Sequence, residues 1–295
     1  TRRVIVVFGL ACASASSALA QPVPSREPGS THVFPAGGQR GTKIAVRVGT
    51  ECFPPYGRWR MDGGGITVSP MLTREVKSSS EPSPRREPTE TPIYFAREWE
   101  ATVEIAPDAE IGPRLWCISS ARGGSGRRPF IVGHLPELLE TESNSLPERA
   151  EAITLPITIN GQIAGERDLD YYRFVLAEGQ SVRCELAAAR LGSPLDAVLE
   201  IRDPDGKRVL ASEQRIGSDP VVTMRAPRSG QYTLMIANLG FYGGPEYVYR
   251  ATLTMADASE SGSPPIGGHV VVTNGTKNDT AQDAELLVLP QQIVG

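Results

Sequence analysis

Residues 170–188 of this 295-residue chain read DYYRFVLAEGQSVRCELAA, and this stretch decides the fold. Apolar and polar side chains alternate in 170–176 and again in 181–188, with a glycine-containing turn at 178–180 between them. Alternation with a period of two places the apolar side chains on one face of an extended chain. The stretch therefore predicts two half-buried β-strands joined by a tight turn.

Further strand signals on both sides of this pair recur at the spacing of an all-β domain. The predicted strands of this region are 153–163, 170–176, 181–188, 197–202, 208–212, 221–225, 231–238 and 247–255. Short strands with one apolar face cannot form a single isolated sheet, because that face has to be covered. We therefore predict a β-sandwich over residues 137–255.

A second β-rich region, at residues 32–133, precedes this one. Its predicted strands are 44–48, 57–61, 66–69, 99–105, 115–119 and 129–132. Trp59, Trp99 and Trp116 all fall in this region, which indicates a shared aromatic core. Residues 77–92 lack the apolar side chains needed to offset the entropy of ordering, so they predict a disordered loop. The predicted fold class is all-β, with two sandwiches in tandem.

The two ends of the chain carry other signals. Residues 1–20 combine a basic start, a short apolar run and small residues at 18 and 20, a pattern typical of a signal peptide cleaved after Ala20. A buried N-terminal strand and a lipid-anchored Cys12 are the alternatives. Residues 21–31 and 256–265 are predicted linkers, and 266–295 predict the start of a further, truncated β-domain. We expect an exported protein that is periplasmic, displayed on the cell surface or secreted.

Composition narrows the classes of partner. The formal net charge of −4 and the pI near 5.6 argue against nucleic acid, whose phosphates require a basic face. Beyond the predicted signal peptide, no segment is long and apolar enough to predict a transmembrane helix.

Three cysteines follow the predicted signal peptide. Cys52 and Cys117 lie in the same predicted module, and a disulfide between them would close a 64-residue loop. Outside the cytosol such a bond persists, and the chain-entropy model gives it roughly 3–4 kcal/mol. Two separate buried thiols are the alternative. Cys184 is predicted to be a core residue, and no pair of cysteines has the spacing of a zinc site.

Residues 137–255 resemble the bacterial pre-peptidase C-terminal (PPC) domain, a jelly-roll-like sandwich. Residues 140–145 (ETESNS) are similar to its acidic opening, and 165–174 (GERDLDYYRF) are similar to its D-x-D-x-Y-x-F strand. Residues 195–201 (LDAVLEI), with Asp205-Gly206, and 230–234 (GQYTL) resemble its middle and late strands. The resemblance implies a domain that accompanies secreted peptidases outside their catalytic domain.

Some members of this family bind calcium at the opening segment and the first strand. Calcium prefers several oxygen ligands, which acidic and amide side chains supply. The resemblance carries that role to Glu140, Glu142, Asn144, Asp168 and Asp170. Ser145 stands where the family usually has Asp, which removes one charge. The alternative is that the two glutamates are solvated linker charges and the two aspartates bond turn amides.

Residues 32–133 resemble an Ig-like module of the TIG type. The similarity rests on residues 35–42 (PAGGQRGT) before a strand and on 106–112 (APDAEIG) before another. The two modules in tandem behind a signal peptide resemble large exported proteins of planctomycete-type bacteria.

No arrangement of nucleophile, base or open metal position stands out as catalytic. Residues 123–127 (GGSGR) fall one glycine short of a nucleophile elbow and lie on a predicted hairpin. Residues 241–249 (FYGGPEYVY) are a candidate binding surface, since exposed aromatic rings stack on sugars or extended polypeptides. The alternative is a hairpin in which Tyr247 and Tyr249 enter the core while Tyr242 caps an edge.

These observations predict a non-catalytic exported protein that acts as a structural, spacing or adhesion module. A protein or carbohydrate surface is the class of partner indicated, and calcium is the cofactor that the family resemblance suggests. The alternative function is the accessory region of a secreted peptidase or other hydrolase whose catalytic domain lies outside this chain.

Overall fold

Two β-sandwiches follow one another along the chain. The computed structural model describes residues 29–50, 57–69, 72, 75–76, 97–121, 123–212, 219–256, 270–273 and 291–294. Over these residues the regular structure is β-strand with two short 3-10 turns, Pro147–Arg149 and Ala189–Leu191. The predicted all-β class with tandem sandwiches is confirmed. The predicted signal peptide, the 77–92 loop and most of the linker residues lie outside the described residues.

The described residues of the first sandwich form ten strands in two sheets. They are β1 (Ser30–Phe34), β2 (Gly37–Gln39), β3 (Lys43–Thr50), β4 (Arg58–Asp62), β5 (Ile66–Val68), β6 (Glu75–Val76), β7 (Arg97–Ile105), β8 (Gly112–Ser120), β9 (Gly123–Gly124) and β10 (Arg128–Gly133). One sheet has the order β1-β3-β7-β5 with β6 on β7, and the other has the order β2-β10-β8-β4 with β9 on β8.

The core of the first sandwich lies between these sheets and contains all three tryptophans, as expected. Trp59 and Trp116 pack with their ring centroids 5.9 Å apart, and Trp99 stands opposite Val48 in the β3–β7 pair. The assignment of this sandwich to the Ig-like class stays a prediction.

In the second sandwich, the part of the chain that the structure describes forms another ten strands. They are β11 (Glu137–Leu139), β12 (Glu151–Ala152), β13 (Ile157–Gln162), β14 (Leu169–Leu176), β15 (Ser181–Ala187), β16 (Ala197–Arg202), β17 (Arg208–Ala211), β18 (Val221–Arg225), β19 (Gly230–Asn238) and β20 (Val248–Ala256). The sheet orders are β11-β13-β20-β15-β18 and β12-β14-β19-β16-β17.

The stretch 170–188 joins these two sheets. Its two strands, β14 and β15, do not pair with each other, because β14 pairs with β12 and β19 whereas β15 pairs with β18 and β20. The turn between them includes Gly179 at φ +79°, a conformation that glycine adopts without steric cost. The apolar faces of both strands therefore meet across the core.

One predicted strand is shorter in the structure. The sequence predicts a strand over 153–163, but β13 begins only at Ile157, and the preceding strand β12 already ends at Ala152. Pro156 lies between them and has no N–H to donate to a sheet. The chain leaves one sheet before this residue and enters the other after it.

The sandwiches contact each other directly. Only residues 134–136 separate β10 from β11. An apolar cluster joins Phe34 and Ala36 of the first sandwich to Leu191 and Val248 of the second. Arg128 of β10 donates to the carbonyl oxygen of Gly192 at 2.8 Å. These contacts define the interface between the sandwiches.

A last pair of strands, β21 (Val270–Thr273) and β22 (Gln291–Val294), is parallel. These are the residues that the structure describes within the predicted further domain at 266–295. None of the described residues forms a helix long and apolar enough to cross a membrane.

Candidate functional site

The five predicted calcium ligands meet at one end of the second sandwich. Glu140 directly follows β11, and its N–H donates to the carbonyl oxygen of Asn160 at 3.0 Å, which continues the parallel β11–β13 pairing. Asn144 lies in the loop after it, and its carbonyl oxygen accepts from Tyr171 N–H at 3.1 Å. This bond fixes the loop against the start of β14, where Asp170 is located. We refer to Glu140, Glu142, Asn144, Asp168 and Asp170 as the acidic cluster.

Two of its carboxyl groups are buried together. Asp170 is fully buried, and burial followed by the charge of Glu140 raises the pKa of Asp170 well above its ordinary value. Burial also raises the pKa of Glu140, against the lowering effect of hydrogen bonds from Asp170 and from the Gln162 N–H. Burial and mutual repulsion therefore both favour the neutral form of these carboxyl groups when no cation is present.

The other two carboxylates lie further out. Asp168 accepts hydrogen bonds from Ser145 Oγ at 3.2 Å and from Ala164 N–H at 2.7 Å. This is the turn-amide role that the sequence left open as an alternative. Glu142 is exposed at the rim, where partial desolvation and then the charges of Asp168 and Glu140 raise the pKa of its carboxyl to about 7.

Two oxygen atoms in the cluster have no hydrogen-bond partner. They are Asn144 Oδ1 and Asp170 Oδ1, and both side chains are buried. Buried oxygens without a donor cost free energy unless a cation or water satisfies them. Among the described residues, no three His, Cys, Asp or Glu side chains are already grouped closely enough to hold a metal ion. The two oxygens therefore lie where a cation or a water molecule would satisfy them.

A buried chain of hydroxyl groups supports Asp170 from below. Tyr249 of β20 donates to Asp170 Oδ2 at 2.7 Å, and its hydroxyl also bonds the Tyr172 hydroxyl at 2.7 Å. Gly161 permits this arrangement, because a Cβ there would overlap the phenol ring of Tyr249. The alternative hairpin interpretation predicts a buried Tyr249 but not this bond, because 79 residues separate Tyr249 from Asp170.

A second polar chain connects the acidic cluster to the first sandwich. Gln162 N–H donates to Glu140 Oε2 at 2.7 Å. The side-chain oxygen of Gln162 accepts from Arg47 Nη2 at 3.0 Å. Arg47 belongs to β3 of the first sandwich and also donates to Glu98 at 3.3 Å. Glu98 in turn bonds His32 Nε2 at 2.9 Å. The interface between the sandwiches thus reaches the cluster through Gln162.

The other predicted sites have varied outcomes. Cys117 is buried in β8 as a free cysteine, which gives the predicted disulfide with Cys52 no support, and Cys52 itself lies outside the described residues. Cys184 is a core residue, and burial raises the pKa of its thiol to about 12. In GGSGR, Ser125 Oγ accepts from Ile118 N–H at 3.0 Å and donates to a carbonyl oxygen, so it closes a hairpin.

The aromatic segment 241–249 divides into two parts. Tyr249 is fully buried and Tyr247 packs against the same core, as the hairpin alternative expected. Phe241 and Tyr242 are each 61% exposed, so neither ring enters the core, and the expectation that Tyr242 caps an edge stays a prediction. Gly243 packs against Gly165 and Ile163, which directs the chain before it outward.

Part of the second sandwich is similar to known proteins. Residues 168–238 match the family model of the bacterial pre-peptidase C-terminal domain, which confirms the resemblance over that region. A probable subtilase-type serine protease of Deinococcus radiodurans is 30% identical over 73 residues, which are 24% of this chain and 10% of that protein. The chain thus spans a tenth of this curated relative.

Two solved structures are also similar to this chain. The pre-peptidase C-terminal domain of a Bacillus anthracis collagenase is 17% identical, with a TM-score of 0.29 over 38% of this chain and 100% of that one. The secreted serine protease VesC of Vibrio cholerae is 7% identical, with a TM-score of 0.25 over 78% of this chain and 47% of that one.

Proposed function

We propose that this chain, whose residues 168–238 form a pre-peptidase C-terminal domain, is an exported, non-catalytic accessory unit that holds two sandwiches in a fixed arrangement and is stabilised by calcium. The contact between the sandwiches carries the spacing role. Its linker of three residues is too short to act as a flexible tether. The apolar cluster and the Arg128–Gly192 bond lie on the same interface.

A buried arginine strengthens this arrangement. Arg250 of β20 is 4% exposed, donates to both carboxylate oxygens of Glu137 at 2.8 and 3.1 Å, and donates to Asn160 Oδ1 at 2.6 Å. Gly37 of the first sandwich lies directly against the guanidinium, where a Cβ would collide with it. Removal of one partner from a buried, hydrogen-bonded ion pair costs several kcal/mol. The Arg250–Glu137 pair, which lies against Gly37 of the first sandwich, therefore supports the interface.

Calcium would act here as a structural ion. Its residues would be Glu140, Asn144 and Asp170, with Asp168 or Glu142 completing the oxygen set. The ion would supply the positive charge that the buried carboxyl pair lacks, in place of a proton. The two buried oxygens without partners support this assignment. The missing acidic side chain at Ser145 predicts a weaker site than the family pattern implies.

Thermal unfolding with and without calcium tests this proposal. We expect 2 mM CaCl2 to raise the melting temperature of the full chain by several degrees, and EDTA to reverse the shift. Asp108→Asn, at an exposed turn of the first sandwich, is the control and should keep the shift. No shift and no heat of binding in calorimetry would exclude the calcium part. Small-angle scattering tests the spacing part, which fails if the distance between the sandwiches varies widely.

A second candidate function is the accessory region of a secreted peptidase or other hydrolase. The similarity to a part of a probable subtilase-type protease favours it. The sequence of the full reading frame at its genomic locus separates the two candidates. A catalytic domain in that frame supports the accessory role in hydrolysis, whereas further β-modules alone support the display role.

A further inference from the structure

Three large apolar side chains project from one loop of the second sandwich. The loop joins β19 to β20, and Leu239 is 53% exposed while Phe241 and Tyr242 are each 61% exposed. At the end of this loop Tyr247 packs on the core, and Val248, the first residue of β20, belongs to the interface between the sandwiches. We refer to Leu239, Phe241 and Tyr242 as the aromatic tip.

The tip is rigid because hydrogen bonds fix its backbone. The Asn238 side chain donates to the Tyr242 carbonyl oxygen at 2.7 Å and accepts from Asp196 N–H at 3.2 Å. Phe241 N–H donates to the Asn238 carbonyl oxygen at 3.0 Å. Leu239 N–H donates to the Asp196 carbonyl oxygen at 2.8 Å. The two rings therefore emerge from a chain that is already ordered.

Phe241 adopts a backbone conformation that folding alone does not favour. Its φ is +57°, a region that is costly for a bulky side chain and free of cost for glycine. Arg167, on the neighbouring loop, has φ +60° and donates its N–H to the Phe241 carbonyl oxygen at 3.1 Å. A strained residue with an exposed aromatic side chain suggests a role in binding.

We propose that the aromatic tip binds a neutral polysaccharide chain by stacking its rings on the apolar face of a pyranose unit. Rigid, flat rings offer contact area at little entropic cost. The exposed Glu166 and Arg167 lie on the neighbouring loop, where they can bond sugar hydroxyl groups. This binding role goes beyond the proposed spacing function and does not depend on it.

The size and charge of the tip argue against other partners. Three side chains are far from the roughly 800 Å² per partner that a stable protein interface buries. An anionic membrane would require a basic surround, whereas Asp168 and Glu166 flank Arg167 beside the tip. The same carboxylates disfavour acidic or sulfated glycans. A neutral glycan chain is compatible with both the small contact area of the tip and the carboxylates beside it.

Retention on polysaccharides tests the proposal. Full-length protein is run through native gels that contain soluble β-glucan, xylan or mannan, and is mixed with insoluble cellulose or chitin. We expect at least one to retain the wild type, and the double variant F241G/Y242A to bind at least tenfold more weakly. Val175→Ser is the control, because Val175 is 74% exposed on β14, and it should bind like the wild type.

A stability measurement accompanies the binding assay. Glycine relieves the positive φ at position 241, so F241G alone should melt at or above the wild-type temperature while its binding falls. Retention by no polysaccharide, or equal retention of the double variant, overturns the proposal. Retention only by gelatin or by anionic phospholipid vesicles, with loss in the double variant, overturns the carbohydrate assignment. Melting shifts with calcium test the proposed ion site separately.

Discussion

Each sandwich buries carboxyl groups, and the two sites differ in what neutralises them. In the first, Glu98 is 4% exposed and pairs with Arg47 at 3.3 Å and with His32 at 2.9 Å. In the second, Glu140 and Asp170 lie against each other, and neither forms an ion pair within the described part of the chain. The Glu98 site therefore obtains its countercharge from side chains of its own sandwich, whereas the Glu140–Asp170 site needs a proton or an ion from solution.

The largest expected effect on stability comes from the Glu98 site, where side chains of the same sandwich supply the countercharge. Glu98→Gln removes the charge that faces Arg47 and His32, so it should destabilise the protein by about 3 kcal/mol, with or without calcium. Chemical denaturation measures this change. Glu104→Gln on the same strand is the control, because the Lys43–Glu104 pair is exposed and contributes less than about 1 kcal/mol. A calcium-dependent loss in Glu98→Gln would contradict the distinction between the sites.

The opposite behaviour is expected of Asp170→Asn. The amide can still accept from Tyr249, and it removes the repulsion with Glu140, so stability in EDTA should be unchanged or higher. The calcium-induced gain, about 3 kcal/mol at a hundredfold excess over the dissociation constant, should disappear. Denaturation in EDTA and in calcium measures both quantities, with Asp108→Asn as the matched control. A large loss of stability in EDTA would show that the carboxylate has a structural role without an ion.

Parts of these two sites could be predicted from the sequence. Strand positions follow from alternation, and the family resemblance located the acidic cluster, although it did not indicate which carboxylates are buried. The Glu98 site escaped prediction because its partners are 51 and 66 residues away, and strand pairing alone brings them together. The Arg47–Gln162 bond spans 115 residues and depends on how the two sandwiches contact each other. Local pattern contains no information at such separations.

A smaller effect is expected at Ser145, where the acidic cluster lacks the carboxylate that the family usually has. Ser145→Asp places a second carboxylate beside Asp168, whose Oδ1 now accepts from Ser145 Oγ at 3.2 Å. Calcium affinity should rise about tenfold, equivalent to about 1.4 kcal/mol, while stability in EDTA falls because like charges are closer. Calorimetry measures the affinity, and Ser143→Asp, an exposed neighbour, controls for added charge. An unchanged affinity in Ser145→Asp would place the ion away from Asp168.

The smallest effect on calcium affinity is expected at Arg47, which links the two sites. Arg47 neutralises Glu98 and also lies near enough to Glu142 to oppose the rise in the pKa of that carboxyl. A cation at the rim repels calcium, so Arg47→Gln should raise calcium affinity by about threefold at low salt, and less at high salt because ions screen the repulsion. Arg58→Gln makes the same charge change at an exposed position of β4 and should leave affinity unchanged. A weaker affinity in Arg47→Gln would mean that the contact through Gln162 helps to form the site, and that the two sandwiches bind calcium together.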